Sequence, residues 1–279
     1  MPLYLVSTPI GNLSDMTRRA VDVIRAADVV FAEDTRRTAV LLRHYGVETR
    51  LISAHEHNEA ARARLVVELL TEGKKVAMVS DAGTPLLSDP GARVVRGALE
   101  AGFEVIPVPG PSALLAALVA SGLPADRFTF YGFLPRKGGD RQELLSEIAL
   151  SRHTSVVYES PQRLEPLLAD LLEVADSGRR ISIARELTKM HEEIVRMTLG
   201  EAAEAYRDVE VRGEVVVVIE GLPEAPPRPA AGDPAARALA GALLDRGVPA
   251  SDVARELRER LSIPRNEAYA LVQEMADQS

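Results

Sequence analysis

Short apolar runs alternate along this chain with segments whose apolar residues recur at helical spacing. Leu3–Thr8, Val29–Glu33, Val76–Ser80 and Val105–Val108 read as buried strands. Between them Met16–Ala26, Thr35–Tyr45, Glu59–Glu72 and Ala92–Ala101 read as helices, the first capped by Ser14 or Asp15. A further helix opens at Ser112 and runs to Ala120. This rhythm of short strands and amphipathic helices predicts an α/β fold with a mostly parallel sheet covered on both faces.

The rhythm pauses at Gly122-Leu123-Pro124 and then resumes. Phe128–Gly132, Ser155–Glu159 and Ile181–Arg185 read as strands, with helices over Asp140–Leu150 and Gln162–Ala175. Ile194–Thr198 and Val215–Glu220 are expected to add two antiparallel strands. The pause divides the chain into an N-terminal α/β domain, 1–122, and a second α/β domain, 123–222. Residues 223–234 carry five prolines and read as an extended spacer. Beyond it a small helical module, 235–279, is expected to hold helices at 235–246, 251–261 and 265–276, the last two joined at Ser262-Ile263-Pro264. Between residues 236 and 279 six arginines face seven acids, so charge alone does not decide between a packing module and a nucleic-acid contact.

Composition narrows the chemistry. The 279 residues are 46% hydrophobic, with no apolar run near the ~20 residues of a membrane helix. The N-terminus starts directly as a strand and lacks the basic region of a signal peptide, so a cytoplasmic protein with no membrane partner is expected. There is no cysteine, which removes disulfides, thiolate metal sites and a cysteine nucleophile. The net charge of −8 argues against indiscriminate nucleic-acid binding and leaves room for local basic patches.

Three loops at strand carboxyl ends stand out, where an open α/β sheet offers a ligand its crevice. The first is STPIGNL, residues 7–13. The second is SDAGTPLLSDPG, residues 80–91, which holds no lysine or arginine. It therefore suits a ligand with cationic and hydroxyl groups better than a phosphate. Asp81 can accept hydrogen bonds, and Gly83 permits close backbone approach. The third is VPGPSA, residues 108–113, where Ser112 is a natural N-cap and free N–H groups can meet a ligand. Each loop by itself also reads as an ordinary turn or cap.

STPIGNLSD, AEDTRRT, HEHNE, SDAGTPLLSDPG, PGPSALLAAL, YGFLPRK, YESPQR and RELTKMHEE occur in that order. Together they resemble the small-subunit methyltransferase I family of 16S ribosomal RNA ribose methyltransferases, a branch of the tetrapyrrole-methylase superfamily. The resemblance spans about residues 3–221, with Gln162 standing where the motif has histidine. It implies a class III methyltransferase of two αβα domains with S-adenosylmethionine in the cleft between them, and a homodimer. It implies methyl transfer to the ribose 2′-hydroxyl of a cytidine in the decoding region of 16S RNA, within the 30S subunit. Carried over position by position, the cofactor contacts are Pro9, Asp81, Gly83, Thr84, Ser112 and Ala113, with Ala184 and Glu214 from the second domain.

A ribose hydroxyl is a poor nucleophile, so a base or a stabilising cation is expected beside it. The candidates are Glu33, Asp34, Arg36, His55, Glu159, Arg185 and Lys189. Asp34, Lys189 and Arg185 are put first. Asp34 also reads as a helix cap, and Lys189 as the ion-pair partner of Glu186 if that segment is helical. His55 and His57 would share one face of a strand, but no third ligand accompanies them and no metal site is expected. For RNA, Arg36, Arg136 and Lys137 lead, beside Arg37, Arg62, Arg64, Arg141, Arg179 and Arg180. Two competing functions keep the fold: a tetrapyrrole or other small-molecule methylase, and a non-enzymatic RNA-binding or assembly factor.

Overall fold

The structure, a computed structural model, describes residues 1–223, 234–261 and 263–276. Most of the spacer expected over 223–234 lies outside these residues, as does Ser262 of the expected turn.

The first sheet has five parallel strands in the order β3-β2-β4-β1-β5. They are β1 (Leu3–Val6), β2 (Val29–Ala32), β3 (Arg50–Ser53), β4 (Val76–Val79) and β5 (Val105–Val108). The helices between them are α1 (Arg18–Ala26), α2 (Thr35–His44), α3 (Glu59–Thr71) and α4 (Ala92–Glu100). β2 and β4 are buried at every position, as strands covered on both faces must be. On one face Val6, Val30 and Val79 pack with Ala20 and Ile24 of α1. On the other, Phe31 and Met78 pack with Val66, Leu70 and Val94 of α3 and α4.

Two details differ from the sequence reading. Thr17, not Ser14 or Asp15, caps α1, accepting from the Ala20 N–H at 3.1 Å. Ser14 and Asp15 form a short 3-10 turn of their own, capped by Asn12. The edge strand β3 is an addition, half-exposed and too short to show a clear apolar run.

The second sheet has five strands in the order β6-β7-β10-β8-β9. They are β6 (Phe128–Phe133), β7 (Thr154–Glu159), β8 (Arg180–Arg185), β9 (Glu193–Thr198) and β10 (Val215–Ile219). β6 and β7 are parallel; as expected, β10 runs antiparallel to its neighbours β7 and β8, and β9 runs antiparallel to β8. One face is covered by α6 (Gly139–Leu150), α7 (Leu164–Val174) and α8 (Leu199–Ala205), through Leu145, Leu167, Leu171 and Leu199. The other is covered by α5 (Ala113–Ser121), through Leu114, Ala117 and Leu118. So α5 precedes the expected boundary at 122 yet packs on the second sheet. Its apolar residues run all round the helix: Leu114, Ala117 and Leu118 share a core with Ile10 and Leu187, whereas Leu115 and Val119 are exposed.

Both sheets belong to one compact unit, Met1–Leu222. The second unit holds α9 (Pro234–Asp245), α10 (Ala250–Leu261) and α11 (Arg265–Ala276) around Ala240, Val253, Leu257 and Leu271. No described helix is long and apolar enough to cross a membrane.

Candidate active site

The three loops singled out in the sequence meet at the carboxyl edge of the first sheet. The Thr8 and Gly83 backbones exchange hydrogen bonds of 2.9 and 3.0 Å. Ser7 Oγ donates to Thr84 Oγ1 at 3.3 Å, and Thr84 donates to the Pro111 carbonyl at 3.2 Å. Gly83 has φ +83°, and an added Cβ would sit 3.4 Å from Ile10 Cγ2. The loop thus needs glycine for its turn, while the neighbour leaves room for a Cβ at ordinary contact distance.

Opposite these loops stand the ends of β6 and β7 and the start of β10. The space between the sheets is a cleft of about 320 Å³. Gly83, Thr84, Ser112, Ala113 and Glu214 line it, with Asp89, Phe133, Tyr158 and Glu159. A second cavity of about 240 Å³ is lined by Pro9, Asp81, Arg37, Lys189 and again Glu214. The expected cofactor contacts are therefore split between two cavities that share Ile10, Ala82 and Glu214. Ala184 and Arg185 line neither: Ala184 is buried with Leu114 and Val216, and Arg185 is held by Glu193 at 3.0 Å.

Asp81 is engaged within the protein. Its Oδ1 accepts from the Asp34 N–H at 2.9 Å, and its Oδ2 pairs with Arg37 at 3.4 Å. Asp34 caps α2 by accepting from the Arg36 N–H at 2.8 Å and also pairs with the Arg36 guanidinium at 2.7 Å. These Arg36 bonds hold the Asp34 carboxyl far below the usual carboxylate range. Two N–H groups at the start of α5 are taken: Leu115 donates to Ser112 Oγ and Leu114 to the Tyr158 hydroxyl, at 3.4 and 3.0 Å. Two of the donors expected to be free there are thus engaged within the protein.

The segment around Glu186 and Lys189 is a tight loop, not a helix, with Glu186 at φ 50° and Thr188 at φ 67°. The expected ion pair still forms, at 2.8 Å, and Lys189 also meets Glu214 at 3.2 Å. Burial pulls the Lys189 ammonium down, but its bonds to the two carboxylates outweigh that and leave it raised.

The structure adds Asp89, which the sequence reading left in the loop without a role. Burial, followed by repulsion from Glu33, pushes its carboxyl up to about 6. Its signal in the sequence was the Asp-Pro of a loop already marked as a ligand holder. Glu159 is buried, with Oε1 held by Arg163 at 2.5 Å and Oε2 without a partner among the described residues.

His55 precedes a 3-10 turn over Glu56–Asn58 and His57 lies within it, so the two do not share a strand face; their ring centroids lie 6.0 Å apart. No metal-ligand cluster occurs among the described residues.

Of the basic groups, Arg141 and Arg179 are structural. Arg141 is buried against Asp170 at 2.6 Å, and Arg179 is buried and donates to the Ile148 and Ala149 carbonyls. Arg180 is forked onto Glu220. Arg136 and Lys137 are exposed in the turn before α6, with no ion pair among the described residues.

Comparison with known proteins agrees with this architecture. Residues 2–203 match the tetrapyrrole (corrin/porphyrin) methylases. The ribosomal RNA small subunit methyltransferase I of a Synechocystis species is 44% identical, over 98% of each chain. The protein of that name from Mesorhizobium japonicum is 42% identical over 99% of this chain and 93% of its own. That from Escherichia coli O157:H7 is 47% identical over 78% of this chain and 77% of its own. Among solved structures, uroporphyrin-III C-methyltransferase from Thermus thermophilus superposes with a TM-score of 0.57 at 22% identity, over 78% of this chain and 94% of its own. Cobalt precorrin-4 methyltransferase gives 0.60 at 19% identity, over the same shares. These two establish a shared fold.

Proposed function

The chain belongs to the tetrapyrrole methylase family and, within it, to the ribosomal RNA small subunit methyltransferase I family; on that premise we propose that its cleft binds S-adenosylmethionine beside a cytidine of 16S ribosomal RNA and serves methylation of the ribose 2′-hydroxyl. The observation that carries this reading is the lining of the 320 Å³ cleft: three carboxylates, Asp89, Glu159 and Glu214, and no lysine or arginine. Such a lining suits a cationic ligand and repels a free phosphate.

S-adenosylmethionine, when bound, supplies an activated methyl group whose transfer is an in-line displacement. The protein's task is then alignment. Gly83 and Ala113 offer backbone, Thr84 and Ser112 offer hydroxyls, and Glu214 offers a carboxylate to an ammonium. Pro9 and Asp81 enter our reading as supports of that wall, and Ala184 as packing beneath it. Lys189 is the cation we place toward the acceptor ribose. Asp34 and Arg185, whose charges are spent on Arg36 and Glu193, act as positioning residues. The two α/β halves, 1–122 and 123–222 in our division, each supply one wall.

Arg136 and Lys137, with Arg36, are our candidates for phosphate contacts. A preassembled 30S subunit is the preferred substrate in this reading, since an acidic protein with a small basic patch gains from shape recognition. We further propose a cytoplasmic homodimer, which sedimentation and fractionation will test.

The deciding experiment is methyl transfer from radiolabelled S-adenosylmethionine to 30S subunits lacking the modification and to free 16S RNA, followed by nucleoside analysis. Label in 2′-O-methylcytidine is expected. No label in either RNA, with the cofactor still bound, would point to a small-molecule methylase. Loss of cofactor binding as well would point to a non-enzymatic RNA-binding factor.

A further inference from the structure

A bulge in β6 re-aims one aromatic side chain. Along a regular strand, residues three apart point to opposite faces. In β6 the pairing with β7 runs Phe130 to Val156, then Gly132 to Val157 and Phe133 to Tyr158, so Tyr131 is the extra residue. Phe130 packs in the core beneath α5 with Val156 and Tyr158, whereas Tyr131 packs on the other face of the sheet. The bulge therefore returns Phe133 to the face of Phe130 and Tyr158, and both Phe133 and Tyr158 line the cleft. Gly132, at φ +63°, supplies the left-handed backbone at this point.

Phe133 is not spent on closing the core. Among the described residues three aromatic side chains are exposed, Phe128, Phe133 and Tyr269, and of these Phe133, at 54%, lines the cleft. Its ring meets Tyr158 in a T-shaped contact with centroids 5.6 Å apart, and Tyr158 is itself fixed by Phe130 and by the Leu114 N–H. The ring is thus oriented from one side while more than half of the residue stays open to solvent. The residues that follow are pinned too. The Leu134 carbonyl accepts from Arg163 at 3.3 Å, and the Pro135 carbonyl accepts from Arg141 at 3.0 Å. Those guanidinium groups are in turn held by Glu159 and Asp170. Arg136 and Lys137 come next, exposed and with no ion pair among the described residues. Three residues span at most ~10 Å, so the ring and the two cations form one fixed edge beside the cleft.

Charge sorts a ligand along this edge. The cleft wall carries Asp89, Glu159 and Glu214 and no lysine or arginine, so a phosphate is repelled from it and drawn to the basic turn. At about 320 Å³ the cleft lies at the small end of small-molecule sites, so a nucleotide acceptor meets the cofactor at its mouth. Phe133 stands between the acidic wall and the basic turn. Unpaired RNA bases are bound by stacking on aromatic side chains, with their backbone phosphates on nearby cations.

We propose that Phe133 is the stacking platform for the base of the nucleotide methylated in this cleft, with Arg136 and Lys137 on its flanking phosphates, an assignment that rests on the methyltransferase reading above. Stacking holds the base at the mouth and turns its ribose toward the cofactor. Every base has a π-face, so the ring fixes the position of the nucleotide and not its identity.

The test compares Phe133→Ala, Phe133→Leu and Phe133→Tyr. The first two remove the π-face, and leucine keeps the apolar bulk. Each should lower kcat/KM for 30S subunits roughly 5- to 150-fold, while Phe133→Tyr stays close to wild type. The calorimetric Kd for S-adenosylmethionine should not move. The salt slope of RNA binding should not change either, since stacking neutralises no phosphate. With p-benzoylphenylalanine in place of Phe133, irradiation on 30S subunits should crosslink the protein to the target cytidine or its immediate neighbour. A Phe133→Leu enzyme with wild-type kcat/KM overturns the assignment, because apolar packing is then all the ring supplies. A loss of cofactor affinity that matches the loss of activity overturns it too, because the ring then belongs to the cofactor. So does a crosslink elsewhere in the RNA, or none. A wild-type protein that places no label on ribose sinks the methyltransferase reading itself, whereas an active wild type with an unaffected Phe133→Leu sinks the platform alone.

Discussion

Two loops cross between the sheets, and each carries two left-handed residues that are not glycine: Leu86 and Ser88 after β4, Glu186 and Thr188 after β8. Each lands beside a glycine of the opposite half. Ser88 docks on Gly132, and Thr188 docks by Gly11, where an added Cβ would meet Lys189 Cγ at 2.5 Å and Thr188 Oγ1 at 2.8 Å. The backbones are alike, but the charges differ. In the second loop Lys189 pairs with both Glu186 and Glu214, Thr188 N–H donates to Glu192 at 2.6 Å, and the Asn12 N–H donates to Thr188 Oγ1 at 3.0 Å. In the first, Asp89 has no cationic partner among the described residues. The same strain fixes a clamp in one place and a desolvated carboxylate on the cleft wall in the other, and the ion pairs make the difference.

The comparison breaks most readily at the clamp. Gly213, with φ +89°, packs against the Glu186 carboxylate so closely that any Cβ must displace it. Gly213→Ala should therefore cost about 3 kcal/mol, adding backbone strain to a disrupted ion pair. Urea unfolding measures it, and an unchanged midpoint would show that the clamp gives way freely. On the other loop, Gly132→Ala should cost about 1–2 kcal/mol from the left-handed strain and the Ser88 contact. Because Ser88 adjoins Asp89, it should lower kcat by more than its stability loss suggests. Equal effects of Gly132→Ala and Gly11→Ala on kcat would erase the distinction between the loops.

A subtler test uses pH. The folded-state pKa of Asp89 is raised, so its favourable linkage is complete below the unfolded value of about 3.9 and is lost as pH rises through about 6. Asp89→Asn does not titrate, so its melting temperature should gain on wild type between pH 4 and 7.5. Solvent screening of this part-exposed group keeps the gain under about 1 kcal/mol. A constant difference across that range would mean that Asp89 is not desolvated. The smallest effect on the fold is expected at the basic turn. Arg136→Ala with Lys137→Ala should leave stability within ~0.5 kcal/mol and reduce the salt slope of RNA binding by roughly two. An unchanged slope would remove this turn from the interface.

The elements that were hard to read share a cause. β3 has two apolar residues in four, and α8 is seven residues rich in alanine and glutamate, so neither shows a strong period. The cap of α1 was misplaced because four polar residues, Asn12, Ser14, Asp15 and Thr17, compete within one short stretch, and two of them cap successive turns.

The order of strands and helices apart from β3 and α8, the three loops at strand ends, the absence of thiol chemistry and the family motifs follow from the sequence itself, because each rests on local spacing or on residue identity. Which charges are neutralised was decided only by tertiary structure. Arg141 finds Asp170, Arg179 finds the end of α6, Arg37 finds Asp81, and Lys189 finds Glu214 across stretches of chain that no local pattern spans. Asp81 and Asp89 stand in the same twelve-residue loop and look equivalent in sequence. Folding gives one a guanidinium and a backbone N–H, and gives the other a buried wall facing two more carboxylates. Desolvation and Coulomb repulsion depend on what surrounds a group in space, so they separate two aspartates that composition and spacing cannot.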